Sequence, residues 1–115
     1  MGDNLIVDKS YEFALEVIEV YKFLTERRKE FVLSKQLLRS GTSIGANVEE
    51  AESAQSKRDF LAKMNIALKE AKETRYWLRL LKDSGYINGS EIFERVEELC
   101  KILSSIVKTT SDNIR

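Results

Sequence analysis

The sequence predicts an all-α protein, an antiparallel up-down-up-down four-helix bundle, on three observations. Its 115 residues include no proline and are rich in the helix-favouring residues Glu, Lys, Leu, Ile and Ala. Apolar residues recur at spacings of three and four in four long segments. Short polar stretches separate these segments, which favours antiparallel neighbours. We therefore predict a single domain over residues 1–115.

The first two helices are predicted from apolar stripes. The first helix is expected to begin between Asp3 and Ser10, where several residues can cap it. It has two adjacent stripes: Tyr11, Ala14, Ile18 and Tyr21, and then Phe13, Val17, Val20 and Leu24. Two stripes give a broader apolar face than packing against a single partner helix needs. Residues 25–30, of which five are charged, form the predicted connection. The second helix has one stripe: Leu33, Leu37, Ile44, Val48 and Ala51.

Polar residues and a glycine mark both ends of the third helix. Residues 53–56 separate it from the second, and Ser56 with Asp59 forms a variant capping box. The helix is expected to run from about Lys57 to Asp83. Gly85 suits the left-handed position after its end, and Tyr86 is expected to fold back as the apolar partner.

The fourth helix is predicted to begin at a second capping sequence. Asn88 is the expected N-cap, with Glu91 three residues later. Its apolar stripe is Ile92, Val96, Leu99, Leu103 and Ile106. From about Thr109 onward we expect the helix to fray, because chain ends are poorly tied down.

Composition excludes several function classes. The chain has no histidine, so it cannot supply the Glu-x-x-His ligands of a di-iron bundle or a Cys/His zinc site. Acidic clusters around Glu50 and Glu97 are interpreted as solvated helix faces, with a carboxylate-only magnesium site as the alternative. No general base, nucleophile or metal set stands out, so we expect no metal, no cofactor and no enzymatic activity. Cys100 is the only cysteine and falls at an apolar position, which favours a core residue in a cytoplasmic protein. No apolar run is long enough to span a membrane.

Small residues interrupt the second helix. Gly41 and Gly45 lie four apart, although each glycine inside a helix costs about 1 kcal/mol relative to alanine. We interpret Gly41, Ser43, Gly45 and Asn47 as a packing motif that allows another helix to approach closely. Ser43 and Asn47 are expected to bond to each other, to the backbone or across a subunit boundary. A ligand or partner site is the alternative.

This stretch also indicates a family. Residues 36–51, QLLRSGTSIGANVEEA, resemble the signature of four-helix-bundle proteins related to the 23S rRNA intervening-sequence protein. The family usually shows proline where this chain has Gly45, and often glycine where it has Ala51. Residues 59–71 and the run Tyr76-Trp77-Leu78 resemble a branch of the same family. The likeness covers nearly the whole chain.

The resemblance implies a homopentameric ring and a link to RNA. Some members of the family are encoded within ribosomal RNA genes. Related accessory proteins of retroelements bind nucleic acid and reverse transcriptase. The surplus apolar positions of the first and third helices fit self-association. Trp77 has two interpretations, a buried or interface residue and a platform on which a base stacks.

Charge distribution suggests where nucleic acid would bind. The chain carries 19 basic and 19 acidic residues, so binding requires a local patch. Basic residues outnumber acidic ones over residues 26–39 and again over residues 57–83. The expected contacts are Arg27, Arg28, Lys29, Lys35, Arg39, Lys57 and Arg58. The first hypothesis is thus a non-enzymatic oligomeric protein associated with RNA or DNA. The second is a scaffold that binds another protein and no nucleic acid, and neither involves a membrane.

Overall fold

Four helices account for most of the chain. The computed structural model describes the backbone of residues 3–114 and the side chains of residues 5–114. The helices are α1 (Asp3–Glu26), α2 (Leu33–Glu52), α3 (Lys57–Asp83) and α4 (Ser90–Ile114), and this described range contains no strand. The prediction of an all-α fold is confirmed. The predicted domain, residues 1–115, includes residues 1–2 and 115, which lie outside the described range.

The helices form a closed bundle 48 Å long and about 22 Å across. Each helix packs against its neighbours in sequence, and α1 meets α4 along a looser seam. The diagonal pairs, α1 with α3 and α2 with α4, are farther apart, and no Cα atoms of their described residues lie within 8 Å of each other. Short connections make consecutive helices antiparallel. The α1–α2 and α3–α4 connections therefore share one end of the bundle, and the α2–α3 connection lies at the other.

Only one of the two apolar stripes of α1 is buried in the core. Phe13, Val17 and Leu24 are buried, whereas Tyr11 is 58% exposed. The core of the four helices is completed by Ile6, Leu37, Ile44, Val48, Ala51, Met64, Ala67, Ala71, Leu78, Leu81, Ile92, Val96, Leu99, Cys100 and Leu103. Burial raises the pKa of the Cys100 thiol, as expected of a core cysteine. None of the helices described has the length and apolar character needed to cross a bilayer.

The ends of α3 match the sequence prediction. The Ser56 hydroxyl accepts a hydrogen bond from the Asp59 amide at 3.0 Å. At the other end Gly85 adopts φ +86°, and the Tyr86 amide donates to the Leu81 carbonyl at 2.9 Å. Together with the bond from the Gly85 amide to Lys82, this is a Schellman motif.

Two predictions about α4 are wrong. Gly89, rather than Asn88, precedes the first helical residue, and its carbonyl accepts the first helical bond from the Phe93 amide at 2.9 Å. Gly89 adopts φ +71°, a left-handed conformation that glycine enters without steric cost. The helix also continues past Thr109 to Ile114 instead of fraying. Half-buried Ile106 and Val107 pack against the core just before this last part of the helix.

The two glycines of α2 face α1 in different ways. A Cβ atom on Gly41 would lie 2.7 Å from Cγ2 and 3.2 Å from Cβ of Val17. A Cβ atom on Gly45 would lie at ordinary contact distance, 3.4 Å from the Ser10 carbonyl oxygen. The close approach of α1 and α2 therefore depends on Gly41, while the position of Gly45 has room for a methyl group.

These distances predict opposite effects of the same substitution. Gly41→Ala should lower the free energy of unfolding by about 1–3 kcal/mol, because Val17 is branched at the contact and cannot swing away. Gly45→Ala should raise it by about 0.4–1 kcal/mol, because alanine restricts the unfolded chain. Urea unfolding of both variants at one chain concentration measures the difference. If both variants were stabilised equally, α1 would be able to move away from position 41 at Val17 with no loss of stability.

Candidate nucleic-acid interface

Basic side chains gather at the bundle end where the α1–α2 and α3–α4 connections meet. We call this surface the basic end and define it by Arg27, Arg28, Lys29, Lys35 and Lys82. All five side chains are exposed. Among the described residues, no carboxylate oxygen lies within 4.0 Å of their charged nitrogens. Their charge is therefore open to solvent and to an anionic partner.

The α1–α2 connection has a defined shape although it contains no glycine. Helix α1 ends at Glu26, and Lys29 adopts the left-handed conformation with φ +53°. That conformation costs a residue with a side chain roughly 1–2 kcal/mol. The Glu30 amide then reaches back to the Leu24 carbonyl at 2.9 Å. This turn presents the side chains of Arg27 and Lys29 to solvent.

Glu30 caps α2 from outside the helix. Val32, the residue at the N-cap position, makes no side-chain cap. The Glu30 carboxylate accepts from the amides of Ser34 at 2.7 Å, Leu33 at 2.9 Å and Val32 at 3.2 Å. Partial burial by itself would raise the pKa of the Glu30 carboxyl, but these hydrogen bonds outweigh it and lower the pKa below 4.5. The Glu30 carboxylate is thus bound by the helix terminus, and it forms no ion pair within 4.0 Å among the described residues.

Arg28 joins the two connections. Its Nη1 donates to the carbonyl oxygens of Gly85 at 3.2 Å and Tyr86 at 2.9 Å. Its guanidinium also lies 4.9 Å from the centre of the Tyr86 ring. These contacts hold Arg28 in place while its charge has no acidic partner. Arg28 therefore both fastens the α1–α2 connection and contributes to the basic surface.

The other predicted contact residues lie elsewhere. Arg39, one turn along α2 from Lys35, forms ion pairs with Glu73 and with Glu70 at 3.4 Å. Lys57 and Arg58 are exposed at the start of α3, at the opposite end of the bundle. The length of α2 separates them from the basic end by about 30 Å. The structure brings together only Arg27, Arg28, Lys29 and Lys35 of the predicted set.

The four residues of the predicted packing motif make two different kinds of contact. Gly41 and Gly45 face α1, whereas Ser43 and Asn47 bond within their own helix. The Ser43 hydroxyl donates to the Arg39 carbonyl at 2.6 Å, and the Asn47 amide donates to the Ser43 carbonyl at 2.9 Å. Three kinds of hydrogen-bond partner were predicted for Ser43 and Asn47, and the structure shows backbone carbonyls of their own helix.

Apolar side chains are partly or fully exposed on two surfaces. The first is an α1 surface of Val7, Tyr11, Leu15 and Ile18, which share one helical face, with Tyr11 and Leu15 the most exposed. The second is an α3 surface of Ile66, Tyr76 and Trp77, where the rings of Tyr76 and Trp77 meet edge to face at 5.1 Å. The Trp77 indole donates to Glu73 at 3.1 Å, so this ring is half-buried and fixed rather than free.

Sequence reasoning missed several residues at the basic end. Lys82 counted only toward the net charge of α3, and the capping role of Glu30 was not predicted. Neither were the exposed Phe23, Phe31 and Val32 beside the connection. The Glu30 cap had a local signal, since a glutamate three and four residues before Leu33 and Ser34 can reach their amides. The placement of Lys82 had none, because it depends on how α3 ends beside the first connection.

Comparison with known proteins identifies the family. The family model described as 23S rRNA-intervening sequence protein matches residues 2–109. The chain belongs to this family. Among solved structures, it is similar to a crystallised protein of unknown function from the S23 ribosomal protein family of Bacteroides thetaiotaomicron VPI-5482. The two share 56% identity over 94% of this chain and 99% of the other, with a TM-score of 0.91. A search of curated proteins found no match.

The Glu30 cap in this family member predicts a pH-dependent loss of stability. Glu30→Gln should lower the free energy of unfolding at pH 7 by about 1 kcal/mol, because a neutral amide accepts weaker bonds at the helix terminus. The folded-state pKa is lowered, so the stabilisation is present above about pH 4.5 and is lost as the pH falls through the folded pKa. Thermal unfolding of the wild type and the variant at neutral and acidic pH measures the loss of stability and its dependence on pH.

The control for this prediction is Glu26→Gln, a neighbouring exposed carboxylate that makes none of these bonds. It should change stability by no more than about 0.5 kcal/mol. If Glu30→Gln destabilised the protein equally at pH 7 and pH 3, the charge of Glu30 would have no part in the cap.

Proposed function

We propose that this protein is a non-enzymatic homo-oligomer that associates with RNA or DNA through the basic end. The observation that supports the proposal is the grouping of five basic side chains without acidic partners on a chain with no net charge. Some basic residues elsewhere, such as Arg39 and Arg75, are paired with carboxylates of neighbouring helices. Phosphates attract unpaired lysine and arginine, and binding releases counterions.

Aromatic side chains beside these charges fit the same partner. Phe23 is 43% exposed and Phe31 is 57% exposed. Bases stack on aromatic rings with little dependence on sequence, while lysine and arginine contact the phosphates. The proposed partner is therefore nucleic acid with accessible bases.

The self-association that we propose uses the two apolar surfaces. The α1 surface and the α3 surface consist of different residues, so one can pack against the other on the next subunit. A contact of this head-to-tail kind closes into a ring when the rotation between subunits allows it. The resemblance to pentameric relatives suggests five subunits. A ring repeats the basic end in every subunit, which multiplies weak contacts with one nucleic acid.

The proposed absence of catalysis is supported by the groups with shifted pKa values. Against the effect of burial, the hydrogen bonds of the cap lower the pKa of the Glu30 carboxyl. Burial raises the pKa of the Cys100 thiol. The pKa of Arg95 is raised by its hydrogen bond and ion pair with Glu16. Each shift has a structural explanation, and in the part of the chain described no three acidic or cysteine side chains form a metal-binding group.

The proposal predicts binding that falls steeply with salt. The double variant Arg27→Gln/Lys29→Gln should weaken binding of a single-stranded oligonucleotide and reduce the slope of log K against log salt by about 1–2 in total. Fluorescence anisotropy at several salt concentrations measures both. A matched control is Lys69→Gln/Lys101→Gln, which removes two exposed charges far from the basic end and should leave the slope unchanged.

Two outcomes would contradict this function. Wild-type protein that binds neither RNA nor DNA at low salt would refute nucleic-acid association. A protein partner from the native host that remains bound after nuclease treatment, with no oligonucleotide binding, would favour the scaffold hypothesis. The exposed α1 and α3 surfaces provide apolar area for such a partner.

Self-association predicts a separate result. Light scattering at micromolar concentration should give the mass of an oligomer, five subunits in the proposed ring. Tyr11→Glu/Leu15→Glu should shift the mass toward the monomer, because two carboxylates would be buried in the contact. The control Ser104→Glu/Ser105→Glu places the same charges on the exposed face of α4 and should keep the oligomer. A monomeric wild type would refute the ring.

A further inference from the structure

The basic end contains a groove between the two connections that meet there. Its volume is about 650 Å³. We call it the end groove, and it is lined by Phe23, Arg28, Lys82, Gly85, Tyr86, Ile87 and Asn88. The first two residues come from α1 and its connection, and the others from the end of α3 and the residues after it. The groove therefore exists only because the bundle places these two segments side by side.

The cations of the groove are open to a ligand. Arg28 uses Nη1 for the carbonyls of Gly85 and Tyr86, which leaves its Nε and Nη2 to donate elsewhere. Because these contacts already hold the guanidinium, a ligand would not have to order it. Lys82 has no carboxylate within 4.0 Å among the described residues, and its Nζ lies 5.8 Å from the ring centre of Phe93. Two positive groups on one groove favour an anionic ligand.

The remaining lining suits an aromatic, hydrogen-bonding ligand. Phe23 lines the groove but keeps 43% of its surface exposed, although it is a large apolar residue. Asn88 is an exposed lining residue from the segment after α3, and its side-chain amide makes no hydrogen bond within the described structure. An amide offers both a donor and an acceptor, the combination that matches the edge of a nucleobase.

We infer that the end groove binds one unpaired nucleotide of a single-stranded nucleic acid. The base stacks on Phe23 with its edge toward the Asn88 amide, and the phosphate lies near Arg28 and Lys82. This assignment rests on the proposed function and adds a specific subsite to it. The volume falls within the range of roughly 300–1,000 Å³ that small-molecule sites occupy.

The geometry favours an unpaired base over a duplex. A base within a duplex is stacked on both faces and presents only its edge in a groove of the helix. Stacking on Phe23 requires an open face, which single strands, loops and ends provide. A peptide of aspartate and glutamate alone would satisfy the two cations but has no aromatic ring to stack on Phe23.

Anisotropy with matched oligonucleotides tests the assignment. Labelled single strands of RNA and of DNA and the corresponding duplexes are titrated with the full-length protein. The wild type should bind the single strands more tightly than the duplexes, and the RNA and DNA arms show which sugar is preferred. Phe23→Leu should weaken single-strand binding about 5- to 100-fold, the usual effect of losing one stacked base, and leave duplex binding unchanged.

Two further variants and a spectroscopic probe separate stacking from charge. Lys82→Gln should weaken binding and lower the salt dependence, whereas Lys101→Gln on the outer face of α4 should change neither. A single strand containing 2-aminopurine should lose fluorescence on binding the wild type, because stacking quenches this base, and should keep it with Phe23→Leu. Circular dichroism verifies that each variant retains its helices.

The outcomes distinguish the groove from the function on which it rests. Failure of the wild type to bind any oligonucleotide overturns both. Binding that is unaffected by Phe23→Leu and Lys82→Gln, or equal for single strands and duplexes, overturns the end groove alone. Displacement of the bound strand by a poly-glutamate peptide as readily as by an unlabelled single strand also overturns it, since charge alone would then explain binding.

Discussion

The close contact between α1 and α2 at Gly41 determines how the first half of the bundle is arranged. Val17 occupies the space that a side chain at position 41 would fill, so the two helices approach more closely than larger residues permit. This contact turns Phe13, Val17 and Leu24 toward the core. It also leaves Tyr11, Leu15 and Ile18 on the outside, because a helix cannot bury two broad faces in one small bundle. The apolar α1 surface is a direct consequence.

The helix ends shape the basic surface. Glu30 satisfies three amides at the start of α2, Gly85 turns the chain at the end of α3, and Arg28 bonds across to that turn. Because each of these contacts uses the polar groups that every helix leaves unpaired at its ends, the same interactions stabilise the fold and fix the connections. The positive charge of Arg28 remains available, since backbone carbonyls bind it without neutralising it.

The sorting of charges explains how a neutral chain can have a basic surface. Ion pairs between helices, such as Lys9 with Glu98 at 3.1 Å and Arg75 with Glu97 at 2.9 Å, use basic residues along the sides of the bundle. Exposed pairs of this kind add little stability, roughly 0–1 kcal/mol each. Their larger effect is to neutralise part of the positive charge on the sides, whereas the five residues of the basic end have no carboxylate within 4.0 Å among the described residues.

The sequence by itself determined the helices, their approximate bounds and the family, since apolar periodicity, capping residues and the motif around Gly41 are all local signals. It also indicated Arg27, Arg28 and Lys29 as basic residues of one connection. Only the tertiary structure decided that Lys82 joins them, that Arg39 is neutralised by Glu70 and Glu73, and that Lys57 lies about 30 Å away. The physical reason is that ion pairing and surface grouping depend on which helices are neighbours and on where each one ends, and these relations involve residues far apart in the chain.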